Sequence, residues 1–297
     1  MVTIRELSAQ IKSIFKQNNI ENFIIESRCL LEYSLNLSHN QLIVNADTTI
    51  PDNVVQTVLK LADKRIGGYP LQYILGQWEF FGLTFYVGEG VLIPRQDTEK
   101  LVECVLNSAC LYPSPRIIDL CSGSGCIAIS LKSNISDADV TAVEISENAL
   151  KYLYKNDALN HTNIKICEGS VIDNVFCNKF AKYDIIVSNP PYLTLEDMNN
   201  LQKEVGYEPE LSLFGGNDGL LFYSSITSLW RHHLSDNGMI FYEIGIGQET
   251  DVANILSSNG FTDIKFYTDL NSIVRVVSGV YKHTTLNYDN HQFTQLV

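Results

Sequence analysis

Short apolar runs alternate with helical stretches beyond Pro94, and this alternation constrains the fold more than any other feature of the sequence. Five of the runs are strand candidates, namely Arg116–Leu120, Asp139–Ile145, Asn163–Cys167, Tyr183–Ser188 and Gly238–Ile244. Alternation of this kind is typical of βαβ units around a mostly parallel sheet. We therefore expect residues 94–281 to form one α/β domain. Residues 282–297 are polar and poorly periodic, which predicts a loose tail.

Residues 1–77 carry helical signals instead. The segment Thr3–Glu6 has the spacing of a capping box, and apolar residues follow it on one helical face. A second apolar-periodic run covers residues 21–35, and Ser38–Gln41 after it is another candidate cap. Pro51 begins a third run. These signals predict a small helical bundle, whose role we expect to be recognition of a partner.

A β-hairpin is predicted between the bundle and the α/β domain. Residues 79–86 and 88–93 are aromatic and β-branched, with glycines between them. Two such runs separated by glycine are typical of a hairpin. We expect it to occupy residues 78–93 and to connect the two domains.

Composition and charge limit the classes of partner. The chain has 297 residues, of which 45% are apolar, and a net charge of −13, which describes a globular protein with an acidic surface. Residues 1–77 hold seven basic and seven acidic side chains, so the whole negative excess lies beyond them. An acidic surface repels phosphate backbones, whereas nucleic-acid binders usually carry a basic footprint. We therefore expect a protein partner or a cationic cofactor, and no direct contact with nucleic acid.

Cysteine and histidine usage predicts neither disulfides nor a metal site. The seven cysteines are odd in number and form no Cys-x-x-Cys pair, which indicates reduced intracellular thiols. The six histidines are scattered, with no carboxylate or thiolate at ligand spacing. The sequence shows neither a membrane span of eighteen apolar residues nor a signal-peptide pattern, so we expect a cytoplasmic protein without membrane contact.

A glycine loop follows the first strand candidate. Residues 117–125 have the sequence Ile-Ile-Asp-Leu-Cys-Ser-Gly-Ser-Gly, and two glycines one residue apart let the backbone turn tightly and approach a ligand. Glu144, at the end of the next strand, could accept hydrogen bonds from both hydroxyls of a ribose. Residues 123–128 also fit the dinucleotide pattern G-x-G-x-x-A. The loop alone leaves three interpretations open: S-adenosylmethionine, an NAD-type cofactor, or a turn that only packs a helix on the sheet. Asp119 favours the first, because an acidic side chain there would face the positively charged methionine moiety.

The segment Asn189–Tyr192, Asn-Pro-Pro-Tyr, directly follows another strand candidate. Two prolines fix φ and donate no hydrogen bonds, so they freeze the backbone at this point. An amide nitrogen is a poor nucleophile because its lone pair is delocalised. The side-chain carbonyl of Asn189 and the backbone carbonyl of Pro190 could each accept one N–H, while Tyr192 stacks on the flat group. The chemistry of a dehydrogenase does not require such a segment. Methyl transfer to a planar nitrogen is therefore favoured, with a rigid turn that has no chemical role as the alternative.

With this segment in place, the chain resembles the HemK/PrmC family of protein-(glutamine-N5) methyltransferases from about Arg65 to Val277. The matching segments are Tyr69–Gly76, Trp78–Gly82, Leu92–Glu99, Tyr207–Pro209, Gly215–Leu220 and Tyr242–Gly245. Members of that family act on class-1 peptide chain release factors. The resemblance implies a Rossmann-like methyltransferase domain that transfers a methyl group from S-adenosylmethionine to N5 of the glutamine in a Gly-Gly-Gln motif.

The resemblance also assigns site residues. The family's cofactor positions correspond to Cys121, Ser122, Gly123, Ser124, Gly125, Glu144, Val171 and Asn189. Its substrate-holding segment corresponds to Asn189, Pro190, Pro191 and Tyr192, of which we expect Asn189, Pro190 and Tyr192 to be catalytic.

Three departures from the family pattern bear on these assignments. Cys121-Ser122 replaces the usual Gly-Thr, and Glu144 replaces the usual Asp. Gly169-Ser170-Val171 lies where the family has Ser-Asp and a large apolar residue near the adenine. The alternatives are a methyltransferase for a glutamine of a ribosomal protein, an amino-methyltransferase for adenine or guanine, and an inactive cofactor-binding adaptor. The adaptor is the alternative that the Ser170 departure suggests.

Overall fold

The computed structural model describes residues 2–282. Apart from residue 282, the predicted tail lies outside the described residues. Within this part of the chain, no helix has both the length and the apolar character that crossing a membrane requires.

The N-terminal domain is helical, as predicted. Its elements are β1 (Val2–Thr3), α1 (Ile4–Gln17), α2 (Phe23–Leu35), α3 (His39–Val44), β2 (Thr49–Ile50), α4 (Asp52–Ile66) and α5 (Leu71–Leu75). Both predicted capping boxes are present, one between Thr3 and Glu6 at α1 and one between Ser38 and Gln41 at α3. Each box satisfies backbone N–H groups that the first turn of a helix leaves unpaired. The helices enclose an apolar cluster of their own.

The hairpin that follows is shorter than predicted. Its strands are β3 (Gln77–Phe80) and β4 (Leu83–Tyr86), which pair antiparallel. The turn residues Phe81 and Gly82 both have positive φ, 51° and 73°, which suits the right-handed twist of a two-residue hairpin. The prediction of a second arm at 88–93 is wrong, because the chain has already reversed direction at this turn. Residues 87–95 contain no strand.

The rest of the described chain forms the predicted α/β domain. Its helices are α6 (Glu99–Ala109), α7 (Cys126–Asn134), α8 (Glu147–Asn160), α9 (Asn174–Cys177), α10 (Leu195–Asn199), α11 (Leu221–Trp230) and α12 (Glu249–Ser258). Its strands are β5 (Arg116–Leu120), β6 (Asp139–Glu144), β7 (Lys165–Glu168), β8 (Tyr183–Ser188), β9 (Leu234–Glu243), β10 (Phe261–Thr268) and β11 (Val274–Tyr281).

The seven strands form a single sheet in the order β10-β11-β9-β8-β5-β6-β7. The five predicted strands are all present and run parallel to one another. The last two were not among the predicted strands, and they pair antiparallel at one edge. From β5 the chain moves outward through β6 and β7, then returns to place β8 on the other side of β5. The carboxyl ends of β5 and β8 therefore border the crevice where ligands of doubly wound sheets bind.

Two apolar layers cover the faces of this sheet. Ile117 belongs to the layer that includes α6, α7 and α8, whereas Ile118 belongs to the layer that includes α11 and α12. Successive side chains of a strand point to opposite faces, so a continuous apolar run such as residues 117–120 requires a helix layer on both sides. The buried sheet gives the strand ends a rigid base.

Candidate active site

The glycine loop connects β5 to α7 at this crevice. Three of its residues have positive φ: Cys121 at 64°, Gly123 at 54° and Gly125 at 81°. A Cβ on Gly125 would lie 2.2 Å from Cδ1 of Leu153, so the close approach of α8 requires glycine there. A Cβ on Gly123 would meet no atom of the protein within 4 Å. The two glycines therefore serve different purposes, one in packing and one in keeping space open.

Glu144 ends β6, beside the loop. Its Oε2 accepts the N–H of Gly123 at 2.7 Å, and its Oε1 accepts the N–H groups of Ile145 and Ser146 at 2.8 and 2.7 Å. These backbone donors fix the carboxylate in one orientation at the cavity wall. Each carboxylate oxygen can accept more than one hydrogen bond, so Glu144 keeps capacity for a hydroxyl-bearing ligand.

A cleft of about 950 Å³ opens over the loop. The predicted cofactor residues that line it are Cys121, Ser122, Gly123, Ser124, Glu144, Val171 and Asn189, together with Pro191 of the predicted substrate segment. The other residues that line it are Leu92, Ile93, Pro94, Arg95, Thr98, Cys126, Ile127, Val143, Ile145, Gly169, Ser170, Ile172, Leu211, Ser212 and Phe222. The structure thus brings together predicted residues that are up to 70 positions apart, between Cys121 and Pro191.

Asp119 and Gly125 lie behind the wall of this cleft. Asp119 is fully buried, and its Oδ2 accepts the N–H of Ala128 at 3.2 Å, in the first turn of α7. Burial raises the pKa of its carboxyl to about 8. Oδ1 has no hydrogen-bond partner among the described residues. Asp119 therefore supports the loop from beneath, and direct contact with a methionine moiety stays a prediction.

Two buried side chains donate hydrogen bonds to the backbone carbonyl of Val171. Its carbonyl accepts the indole N–H of Trp230 at 2.8 Å and the thiol of Cys177 at 3.3 Å. Trp230 is fully buried in α11, which makes it a firm support. The neighbouring Ser170 also lines the cleft. This part of the wall is therefore apolar and fixed, and it has no acidic side chain at the position of the family's aspartate.

The segment Asn189–Tyr192 emerges from β8 into the crevice, next to β5. The Ser188 hydroxyl donates to the Leu120 carbonyl at 2.6 Å, which holds the two strand ends together. The side-chain amide of Asn189 donates to Oγ1 of Thr98 at 3.2 Å. The Tyr192 carbonyl accepts from Nε2 of Gln248 at 3.1 Å. Because the amide nitrogen of Asn189 is occupied by Thr98, its carbonyl oxygen is the group left to face a ligand.

A second cavity of about 890 Å³ adjoins the first. Four residues line both, namely Leu92, Arg95, Asn189 and Ser212. Tyr192 lines only the second cavity, and Pro191 lines only the first. Pro190 is buried between these neighbours in the chain. Asn189 therefore lies where two cavities meet, one beside the glycine loop and one beside the aromatic ring of Tyr192.

Two family models match the chain. The model of the PrmC N-terminal domain matches residues 6–76, and that of the methyltransferase small domain matches residues 96–205. The release factor glutamine methyltransferase of Clostridium acetobutylicum is 36% identical over 280 residues, covering 93% of this chain and 98% of that protein. The enzyme of the same name from Geobacter sulfurreducens is 37% identical over 278 residues, covering 93% and 96%.

The chain belongs to the release factor glutamine methyltransferase family. It is an S-adenosylmethionine-dependent protein glutamine methyltransferase. Among solved structures, the catalytic domain of hMettl16 in complex with the MAT2A 3′UTR hairpin 1 aligns with a TM-score of 0.56. It covers 95% of this chain and 93% of that chain, at 14% identity, so this likeness shows the fold alone.

The residues of the cleft fit the methyl donor of this enzyme class. Oε2 of Glu144 keeps an acceptor site suited to a ribose hydroxyl, and the open space at Gly123 lets a ligand approach the backbone. Val171 and Ile172 offer an apolar surface suited to a flat base. Among residues 2–282, no group of three or more His, Cys, Asp or Glu could hold a metal ion.

Sequence reasoning missed several residues of the site. Arg95 forms an ion pair with Glu208, which also accepts the N–H of Ile93 at 3.0 Å. This contact ties the segment before α6 to the segment before α11, and both segments line the cleft. Burial raises the pKa of Glu208, while Arg95 lowers it. Thr98 and Glu243 were also missed. All four stand in segments that matched the family, and that match was the only signal available for them.

Proposed function

We propose that this methyltransferase modifies N5 of the glutamine in the Gly-Gly-Gln motif of class-1 peptide chain release factors. The observation that carries the proposal is the position of Asn189 at the junction of the two cavities. A donor bound beside the glycine loop and a side chain entering beside Tyr192 would meet at this residue. Since release factors act in translation, the proposal places the reaction in the cytoplasm.

The second cavity suits a glutamine side chain. The Asn189 carbonyl oxygen could accept one amide N–H of the substrate, and the Pro190 backbone carbonyl the other. Two acceptors would fix the plane of the amide and return electron density to its nitrogen as positive charge develops. The Tyr192 ring would pack against the flat group. Burial raises the pKa of Tyr192, so its hydroxyl stays protonated.

S-adenosylmethionine, when bound, supplies an electrophilic methyl group. The protein's own contribution is alignment of the amide nitrogen with that methyl, and such positioning can supply several kcal/mol of the barrier. No general base with a shifted pKa is needed before transfer, because the nitrogen loses its extra proton afterwards. The proposed catalytic residues are therefore Asn189, Pro190 and Tyr192, and their role is to hold the amide.

The helical domain supports a protein substrate. It exposes large apolar side chains on α2 and α3, namely Ile24, Ile25, Tyr33, Ile43 and Val44. It also contacts the segment that lines the second cavity, because Arg65 of α4 forms an ion pair with Glu204 at 2.5 Å. A partner held on this domain would therefore present its loop close to the second cavity.

Intact-mass analysis tests the substrate. A folded class-1 release factor, incubated with enzyme and S-adenosylmethionine, should gain one methyl group, and the isolated Gly-Gly-Gln peptide should react poorly. A release factor with alanine in place of the motif glutamine is the matched control and should gain none. Equal rates on peptide and folded factor, or transfer to a ribosomal protein or to nucleic acid instead, would overturn the proposal.

A pair of surface variants tests the role of the helical domain. Val44→Asp changes an apolar residue that is 83% exposed on this domain, and Leu270→Asp changes one that is fully exposed between β10 and β11. We expect Val44→Asp to raise KM for the folded factor about tenfold, which corresponds to about 1.4 kcal/mol of interface energy. Leu270→Asp should leave KM unchanged. Equal effects of the two variants would contradict recognition by the helical domain.

A further inference from the structure

Three polar side chains meet at the strand ends beneath the second cavity. Glu243 is the last residue of β9, and Ser188 of β8 pairs with Tyr242 in parallel register, so Asn189 and Glu243 leave the sheet side by side. Thr98 ends a short 3-10 turn, Gln96–Thr98, that crosses above them. Thr98 and Glu243 are 2% and 3% exposed, so both side chains are almost completely removed from bulk solvent.

Donor and acceptor roles can be assigned to the side chains of Asn189, Thr98 and Glu243. The amide of Asn189 donates to the Thr98 hydroxyl oxygen, so the hydroxyl proton of Thr98 is free to donate elsewhere. The Glu243 carboxyl lies beside both of these side chains, because Thr98 and Asn189 each lower its pKa and Asn189 and Glu243 line the same cavity. A carboxylate can only accept hydrogen bonds. An ionised Glu243 beside Thr98 and Asn189 therefore favours donation by the Thr98 hydroxyl and an Asn189 amide whose nitrogen faces Thr98 and Glu243.

We propose that Glu243 is a positioning residue, which acts through Thr98 to turn the carbonyl oxygen of Asn189 toward the acceptor amide. Without an acceptor-only group at this point, the Asn189 amide could rotate by half a turn and present a donor to a substrate N–H. The inference rests on the proposed role of Asn189. It extends the site to two buried residues beside Asn189, of which Thr98 contacts Asn189 and Glu243 also lines the second cavity.

The surroundings hold this arrangement in place. Asp97 of the 3-10 turn pairs with Arg275 of β11 at 2.9 Å, which anchors the turn over the strand ends. The hydroxyl of Tyr223 donates to the Glu243 backbone carbonyl at 2.9 Å. Oε2 of Glu243 has no hydrogen-bond partner among the described residues, although Glu243 lines the second cavity.

The charge of the Glu243 carboxyl changes near pH 7. Burial raises the pKa of Glu243 to about 7 against the opposing effects of Thr98, Arg275 and Asn189, while Asp97 adds to the increase. The other titratable groups that face it are Tyr192, Tyr223 and Cys126, whose pKa values are raised by burial, so they stay uncharged near neutral pH. The acceptor-only form of Glu243 therefore becomes populated as pH rises through about 7.

Steady-state kinetics of variants test this role. Glu243→Gln and Thr98→Val keep the shape of the side chain and should each lower kcat about 10²-fold at pH 8, as expected for a misplaced reacting group. Thr98→Ser keeps the hydroxyl and should retain most of kcat. Affinity for S-adenosylmethionine, measured by calorimetry, should be unchanged in Glu243→Gln, because Glu243 does not line the donor cleft. Glu103→Gln, on the exposed face of α6, is the matched control and should behave as the wild type.

The pH profile separates positioning from a merely structural role. In the wild type, kcat should rise through about pH 7 and then level off, whereas Glu243→Gln should lack this rise. The double variant Glu243→Gln/Thr98→Val should be no slower than either single variant, because both changes break the same chain of hydrogen bonds. Near-normal kcat in Glu243→Gln, a persisting rise with pH, or additive losses would overturn the inference.

Asn189→Ala, measured in parallel, distinguishes this inference from the proposed function. If Asn189→Ala keeps full turnover, the proposed role of Asn189 fails, and the positioning role of Glu243 fails with it. If Asn189→Ala is slow while Glu243→Gln is not, only the positioning role is refuted. Should the wild type methylate another protein glutamine instead of the release factor, the same variants measured on that acceptor decide the matter.

Discussion

Replacing Gly123 by alanine should weaken binding of the methyl donor while the protein stays folded. The new methyl group would meet no protein atom within 4 Å, and Gly123 lines the cleft, so the methyl would enter the space that a bound ligand occupies. The backbone N–H of residue 123, which donates to Glu144 at 2.7 Å, is kept by alanine. The variant therefore changes the space in the cleft and leaves its hydrogen bonds intact.

The stability cost of Gly123→Ala follows from the backbone angle φ of residue 123. Alanine at the φ of 54° found for Gly123 costs about 1–2 kcal/mol, the usual price of a left-handed residue with a Cβ. In a domain of this size, each kcal/mol lowers Tm by about 2–4 °C, so the protein should remain folded at 25 °C. Loss of donor affinity should be at least about tenfold, or about 1.4 kcal/mol.

Gly125→Ala is the matched comparison. Its Cβ would lie 2.2 Å from Cδ1 of Leu153 and 3.0 Å from Cδ1 of Ile129, at a φ of 81°. Overpacking of this kind adds about 1–3 kcal/mol to the cost of the backbone angle. Gly125→Ala should therefore lower Tm considerably more than Gly123→Ala does.

Calorimetric titration and thermal unfolding separate the two effects. Gly123→Ala should show a small change in Tm and a large change in donor affinity, whereas Gly125→Ala should show a large change in Tm. NAD should bind to neither variant nor to the wild type. If Gly123→Ala bound S-adenosylmethionine as tightly as the wild type, the donor would not approach the loop backbone, and the assignment of this cleft would be wrong.

Other residues provide three further tests. Asn189→Ala should lower kcat about 10²–10³-fold with a smaller loss of donor affinity, since removal of one preorganised polar group has this size of effect. Asn189→Asp should keep partial activity. Near-full turnover of the alanine variant would contradict the assignment of Asn189 as a catalytic residue. Asp119 has a pKa raised from 3.8 to about 8, so the stability that it contributes is full below about pH 4 and is lost as pH rises through about 8. Asp119→Asn should therefore gain stability relative to the wild type as pH rises from about 4 to about 8 in urea unfolding, and a gap that does not change over this interval would refute this. Arg65→Met removes a buried guanidinium and leaves the half-buried carboxylate of Glu26 without its partner, so it should cost about 3 kcal/mol, whereas Glu204→Gln, at a side chain that is 45% exposed, should cost much less. Equal losses in the two variants would contradict this difference in burial.

Local signals explain what could be predicted from the sequence. The two capping boxes, the strand β5 and the loop after it depend on residues within a few positions of one another, so spacing alone reveals them. The segment Asn189–Tyr192 was informative for the same reason, because two consecutive prolines fix the backbone whatever surrounds them. These elements gave the fold class, and with the resemblance they also gave the enzyme class.

The parts that could not be predicted depend on tertiary contacts. In β10, only Phe261 of the eight residues is buried, so the strand shows no alternating apolar pattern. Its pairing with β11 contains two register irregularities, which weaken the pattern further. Thr98 and Glu243 are 145 residues apart, and only the meeting of the 3-10 turn with the end of β9 brings them to Asn189. No local pattern reports such a meeting.

Ser170 bears on how the proposed donor site would hold its ligand. A serine there cannot supply the carboxylate that the family pattern places near the adenine. The cleft wall at this point is nevertheless fixed, because Trp230 and Cys177 hold the carbonyl of Val171 from behind. Apolar contact with a flat base survives the loss of one polar group, since burial of apolar surface is non-directional. We infer that donor affinity in this enzyme depends more on Glu144 and the glycine loop than it does in relatives with an acidic residue at position 170, so variants of the loop should be unusually costly here.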